Sequence, residues 1–197
     1  MTLSAASRCT NLAIGLTGPN ASGKGEVALI LAKRGFTLHS LSDVVREEAS
    51  RRGLDHSRQN LISIGRALRE ANGEGALAQR ILSNLSQRSV VDSIRNPGEI
   101  AVLRSLPCFH LLGISAPVEL RFARSRTRGR AGDGETLEEF RSKELQESAR
   151  AGPGQQLGVC FSMADAVVHN EGTLDDLRRE VERALAIRGV HLDPESL

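Results

Sequence analysis

The chain has 197 residues, 40% of them hydrophobic, and a formal net charge of +2. That is enough chain for one packed domain with a small insert, and too little charge for a bulk polyanion-binding field. Trp and Tyr are absent and Phe numbers 5, which argues against a base-stacking platform, and no apolar run approaches the roughly 20 residues that span a bilayer.

Residues 1–10 read as a loose N-terminus and 12–17 as an apolar strand. Gly18-Pro19-Asn20-Ala21-Ser22-Gly23-Lys24 follows. An apolar-periodic helix then runs from Lys24 to about Arg34 and is closed by Gly35. Strand, glycine-rich turn, lysine and helix is the order of a phosphate-binding loop. Backbone N–H groups must point inward at phosphate oxygens, and side chains would obstruct them, hence Gly18 and Gly23. The helix N-terminus adds unpaired N–H groups and the positive end of its dipole. Lys24 brings a mobile point charge to the outer phosphates. Asn20, Ala21, Ser22 and Gly25 complete the stretch expected to touch nucleotide.

The position after the lysine departs from the usual pattern. Gly25 stands where a Ser or Thr would ligate Mg²⁺, and Glu26 follows. Glu26 reads either as a water-mediated Mg²⁺ ligand or as a solvated first-turn acid that suits the helix dipole.

Residues 36–41 read as a second strand. Ser42 or Asp43 is placed to cap the next helix, which ends at Gly53. Ser57 opens a helix to about Ala71 with Leu61, Ile64, Ala67 and Leu68 at helical spacing, and a further helix covers 76–87. Residues 89–94 form a buried strand, and Pro97 starts a helix to Leu106. Residues 109–116 are another buried strand, and Pro117 starts a helix that enters an arginine cluster. Residues 126–135 read as a mobile loop, 136–150 as a helix and 151–156 as a break. Residues 164–170 are the last strand, Thr173 opens the C-terminal helix, and the last seven residues fray.

Strands that alternate with helices and are apolar throughout imply a parallel sheet covered on both faces. Ligands then bind beyond the carboxyl ends of the strands, where the glycine loop, Asp43 and Asp92–Arg95 all fall. Of 26 Lys and Arg, only Lys24, Lys33 and Lys143 are lysine. The arginine excess suits bidentate phosphate contacts, and codon composition accounts for it equally. Cys9, Cys108 and Cys160 have no metal spacing; an odd count reads as reduced, packed thiols in a cytoplasmic protein. His39 and His110 lie in strand-like runs and read as structural.

Four stretches stand in order around the loop: SLSDVVREEA, DSIRNPGEI, RFARSRTRGRAGD and NEGTLDDL. With them the chain resembles, over residues 11–187, the small P-loop kinases. These include adenylate kinases, dephospho-coenzyme A kinases and, above all, a set of poorly characterised prokaryotic kinase-like proteins. A similar module is fused to some deoxycytidylate deaminases. The resemblance implies one α/β P-loop domain over 11–190, with strand order 2-3-1-4-5. It also implies a helical acceptor-binding insert (43–87) and an arginine-bearing lid (121–135). The implied activity is transfer of the γ-phosphoryl group of ATP, with Mg²⁺, to a small nucleotide-like acceptor. Three alternatives stand beside it: dephospho-coenzyme A kinase-like activity, a regulatory nucleotide-binding module, and a kinase acting on nucleic acid or a modified base. Small nucleotides are the expected partners, and the protein is expected to be a monomer or homodimer away from membranes.

The resemblance also implies roles for particular residues. Asp43-x-x-Arg46 looks like the acceptor-site Asp/Arg pair of adenylate kinases. Asp92-Ser93-Ile94-Arg95 is similar to their Asp-Gly-Phe-Pro-Arg segment, with Asp92 near Mg²⁺ and Arg95 on the acceptor phosphate. Arg66 and Arg69 in the insert are candidates for the acceptor, and Arg121, Arg124, Arg128 and Arg130 for the lid. Asn170-Glu171-Gly172-Thr173 looks like the adenine-side loop of dephospho-coenzyme A kinases. Adenylate kinases also carry Gly after the loop lysine, but place Thr where this chain has Glu26. Each residue has a plainer reading too: Asp43 as a helix cap, the arginines as solvated faces.

Overall fold

The computed structural model describes residues 11–129, 133–148 and 154–192. Its strands are Leu12–Thr17 (β1), Thr37–Ser40 (β2), Arg88–Asp92 (β3), Cys108–Ser115 (β4) and Ala166–His169 (β5). They form one parallel sheet in the order β2-β3-β1-β4-β5, as the resemblance implied. Successive strand residues face opposite sides, so the central strands β3 and β4 feed two cores. Val90 and Leu112 join Ile14, Leu16 and Ile114 under Lys24–Ala32 (α1) and Leu174–Ala186 (α9). Val91 and Leu111 face the other side. There they meet Leu41–Arg51 (α2), Arg58–Asn72 (α3), Ala76–Ile81 (α4), Pro97–Leu103 (α5) and Leu157–Ser162 (α8).

The remaining helices are Val118–Arg128 (α6) and Leu137–Ser148 (α7). The start of the stretch read as a loop, 126–128, is therefore the last turn of α6. Arginine propagates a helix well, and α6 continues until Gly129. Arg130 lies outside the described residues. Helix α2 begins at Leu41, with Ser40 at its N-cap, so neither Ser42 nor Asp43 is the cap. Leu41 is fully buried, and its burial pulls the chain into the helix directly from the strand. The helix expected over 76–87 stops at Ile81 and continues only as a 3₁₀ turn, Leu82–Asn84. Helix α8 was not expected, because six residues are too few to show a helical period.

Cys160 is buried and free; burial pushes its thiol up to about 12. Cys108 departs from the expected set of reduced thiols, being disulfide-bonded at the start of β4. Among the described residues no helix is long and apolar enough to cross a membrane.

Candidate functional site

The glycine loop links the end of β1 to α1. Thr17 Oγ1 donates to the Ile94 carbonyl at 3.0 Å, which ties the loop's base to the β3–α5 turn. Gly18 has φ 140°, and a Cβ there would lie 2.2 Å from the Ile114 carbonyl oxygen. Gly23 has φ 102°, and a Cβ there would lie 2.0 Å from Asn170 Nδ2. Both positions thus need glycine twice, for backbone angle and for room. Asn170 Nδ2 also donates to the Ser22 carbonyl at 2.9 Å, and the buried Ser22 Oγ has no partner.

Lys24 Nζ donates to the Gly18 and Pro19 carbonyls at 2.9 and 2.8 Å. Burial lowers its pKa to about 8, Arg95 adds to the drop, Asp92 opposes it, and Arg128 and Arg121 contribute less. The amine is therefore charged below about pH 8 and neutral above it. Bound phosphates favour the charged form, so ATP affinity is expected to fall above that pH, by up to about tenfold per unit. A Lys24→Arg variant stays charged and is expected to flatten the profile. Calorimetric titration of ATP across this range checks it, and a flat wild-type profile contradicts it.

A cleft of ≈ 1040 Å³ opens from this loop across the carboxyl ends of the strands to the helical insert. Asp92 closes β3 beside Ser40 of β2 and lines the cleft. Its Oδ1 is buried without a hydrogen-bond partner, an expensive arrangement for a carboxylate oxygen unless a cation completes it. The next residue, Ser93, sits at φ 67°, a left-handed angle that costs a serine free energy.

At the α2–α3 end of the cleft, Asp43 is exposed on the first turn of α2 and pairs with Arg46 Nη1 at 2.6 Å. Arg46 Nη1 also donates to Ser42 Oγ at 2.8 Å, and Arg95 Nη1 donates to Gln155 Oε1 at 2.9 Å. Arg69 and Glu99 are 5% and 0% exposed. Arg69 Nε and Nη2 donate to Glu99 Oε1 at 2.9 and 2.6 Å. Glu99 Oε2 accepts the Arg95 and Asn96 amides at 2.8 and 3.1 Å. Burial pushes the Glu99 carboxyl up, while Arg69 and the two amides pull it down. Arg69, Arg46, Arg95 and Asp43 all line the cleft. Arg66, expected beside Arg69, instead pairs with Glu70 at 2.7 Å on the exposed face of α3.

At the α6 end, Arg124 Nη2 donates to the Asn170 carbonyl and Oδ1, both at 3.2 Å. Its Nη1 is buried without a partner. Arg124 and Arg128 line the cleft together with Asn20, Ala21, Gly25 and the exposed Glu26. Arg121 does not line it. It is 7% exposed, pairs with Glu144 and donates to the Asn20 carbonyl at 3.2 Å, bracing the loop from behind. The Asn170–Thr173 turn, expected on the adenine side, lies behind the phosphate loop. Asn170 supports the phosphate loop, Thr173 caps α9 in a capping box with Asp176, and Gly172 packs against Asp176. None of the three lines the cleft. Sequence reading missed Arg58, Gln155, Glu99 and Asp133. Arg58 carried a signal as the first residue after the Ser57 cap, and Glu99 one as the third residue after the Asn96 cap.

The left-handed glycine loop, the lysine folded into it and the sheet order define a P-loop, kinase-like domain. The chain belongs to the AAA domain family, whose profile matches residues 17–141, and to the UPF0200 proteins. It is 35% identical over 188 residues to a UPF0200 protein of Hyperthermus butylicus, covering 93% of this chain and 97% of that protein. Its fold is similar to TT1252 from Thermus thermophilus, with TM-score 0.59, 22% identity and coverage of 90% and 97% of the two chains. It is also similar to shikimate kinase from Acinetobacter baumannii in complex with shikimate, with TM-score 0.58, 15% identity and coverage of 91% and 96%.

Proposed function

We propose that the protein is an ATP-dependent phosphotransferase that moves the γ-phosphoryl group to a small, nucleotide-like acceptor. One observation carries this reading. A partly buried phosphate-loop lysine and an unpartnered carboxylate oxygen of Asp92 share a cleft with a second set of charged groups, Asp43, Arg46, Arg69 and Arg95. A binding module needs the first half of that cleft; a transferase needs both. The fold shared with proteins named as kinases supports the same class.

In this reading the loop amides, Lys24 and the α1 N-terminus hold the ATP phosphates. Arg124 and Arg128 spread over the transferred group, where phosphoryl transfer needs positioning and charge neutralisation. Arg95 and Arg46, the latter oriented by Asp43, hold the acceptor's phosphate. Asp92 fits a hard cation, and Glu26, which lines the same cleft, is the second candidate, through water. Among the described residues no group of three or more His, Cys, Asp or Glu forms a metal cage, which suits an ion held largely by substrate phosphates. Mg²⁺ there supplies charge neutralisation on the outer phosphates. Asp92→Asn is expected to keep ATP binding and weaken apparent Mg²⁺ affinity by about 10–100-fold. Turnover measured against Mg²⁺ concentration checks it; an unchanged Mg²⁺ requirement makes Asp92 structural.

A second reading, a nucleotide-binding module without transfer, is favoured by Glu26, which stands where adenylate kinases place Thr, and by Gly25 beside it. Gly25 removes the loop hydroxyl although a Cβ there would meet nothing within 4 Å. Thermal unfolding with a panel of nucleoside monophosphates, deoxynucleotides and dephospho-coenzyme A separates the two, with and without ATP and Mg²⁺. Each ligand that binds the native state raises its stability. The kinase reading requires that ATP and at least one acceptor stabilise the protein; stabilisation by ATP alone supports the module.

A further inference from the structure

We propose that Asp133 is a positioning residue that joins the lid helix to the acceptor insert, so that the two move onto substrates together. The proposal rests on the kinase reading above, because it assigns the two sides of the cleft to ATP and acceptor. Asp133 is 4% exposed and follows the lid arginines in the chain. Its Oδ1 accepts from Arg58 Nη1, the first residue of α3, and from Asn20 Nδ2 of the phosphate loop at 3.1 Å. Its Oδ2 accepts from Arg128 Nη2, the last residue of α6, at 2.6 Å. Arg128 Nη2 also donates to Asn20 Oδ1 at 3.0 Å, so the Asn20 amide is fixed from both ends.

Arg58 and Arg128 line the cleft, whereas Asp133 does not. The carboxylate therefore holds both guanidiniums from behind and leaves the cleft open. A carboxylate this buried is tolerable only because three donors satisfy it. That makes its position an all-or-none matter, a suitable joint between two elements. Helix α3 also carries Leu61, Ile62, Gly65 and Arg69 into the acceptor end of the cleft. When ATP draws Arg128 inward, Asp133 transmits the displacement to Arg58 and hence to α3. ATP thereby prepares the acceptor site before the acceptor arrives.

Hydrogen exchange on the full chain, with ATP and Mg²⁺ as the only ligands, tests the joint. In the wild type, ATP is expected to slow exchange in the glycine loop and along α6. It is also expected to slow exchange in the first turn of α3, by about 5- to 150-fold, the span of typical inter-site coupling. In Asp133→Asn, and separately in Arg58→Met, the loop stays protected by ATP and the α3 effect disappears. A purely structural role would lower stability without uncoupling the two regions. Arg58→Met decides the matter if Asp133→Asn fails to fold. The proposal is overturned if ATP leaves α3 unprotected in the wild type, or if α3 stays protected in the folded variants. Absence of ATP protection even in the wild-type glycine loop overturns the kinase reading itself, and the joint with it.

Discussion

A Lys24→Ala variant is expected to fold and to lose about 10²–10³-fold in phosphoryl transfer, roughly 3–4 kcal/mol of transition-state stabilisation. The amine sits at the mouth of the glycine loop, within 3 Å of the Gly18 and Pro19 carbonyls. Swinging outward, it would exchange those two acceptors for phosphate oxygens, on which charge is redistributed during transfer. The loop itself does not depend on the amine. Its path is set by Gly18, Gly23 and the Asn170 contact, so the loss of fold stability is expected to be small, about 1 kcal/mol. Steady-state turnover beside thermal unfolding separates the two effects. Near wild-type turnover in a folded variant removes Lys24 from the chemistry.

Glu99→Leu is expected to cost about 3–5 kcal/mol of stability, the typical penalty for leaving one partner of a buried ion pair. Arg69 would keep its charge at 5% exposure, packed beside Gly65. The Arg95 and Asn96 amides would lose their acceptor at the same stroke, and with it the capping box of α5. Arg69→Leu is expected to be costly for the converse reason, a buried carboxylate with its charge uncompensated. The double variant removes both charges and is expected to recover much of the loss, since buried pairs are often replaceable by apolar side chains. Chemical denaturation of the three variants measures the cycle. Strict additivity of the two single losses contradicts a coupled pair.

The phosphate loop was legible because all its determinants are contiguous: strand, glycines, lysine, helix. Asp92 was legible as the acid that closes an apolar strand. Sheet order came only with the resemblance, because no local pattern encodes which strands become neighbours. Arg66 and Arg69 show why the rest was hidden. They stand three residues apart on one helix, and the choice between solvent and cleft is made by Glu99, 30 residues away. Asn170 looked like a nucleotide contact. Its side chain reaches back across 148 residues to the Ser22 carbonyl, a support role that no local pattern shows, and fills the space that glycine leaves at position 23. Asp133 sits in a stretch whose glycines and charges read as loop, and nothing local shows that Arg58 and Arg128 converge on it. The hidden roles are those fixed by long-range pairing rather than by period or spacing.

The most direct test of the account is product formation by the purified wild-type chain. ATP and Mg²⁺ would be supplied with each member of the nucleoside monophosphate, deoxynucleotide and dephospho-coenzyme A panel, and the products followed by phosphorus NMR. The account predicts that at least one acceptor gains a phosphoryl group in step with ADP release, and that Lys24→Ala loses that transfer. ATP bound with no acceptor phosphorylated anywhere in the panel would contradict it.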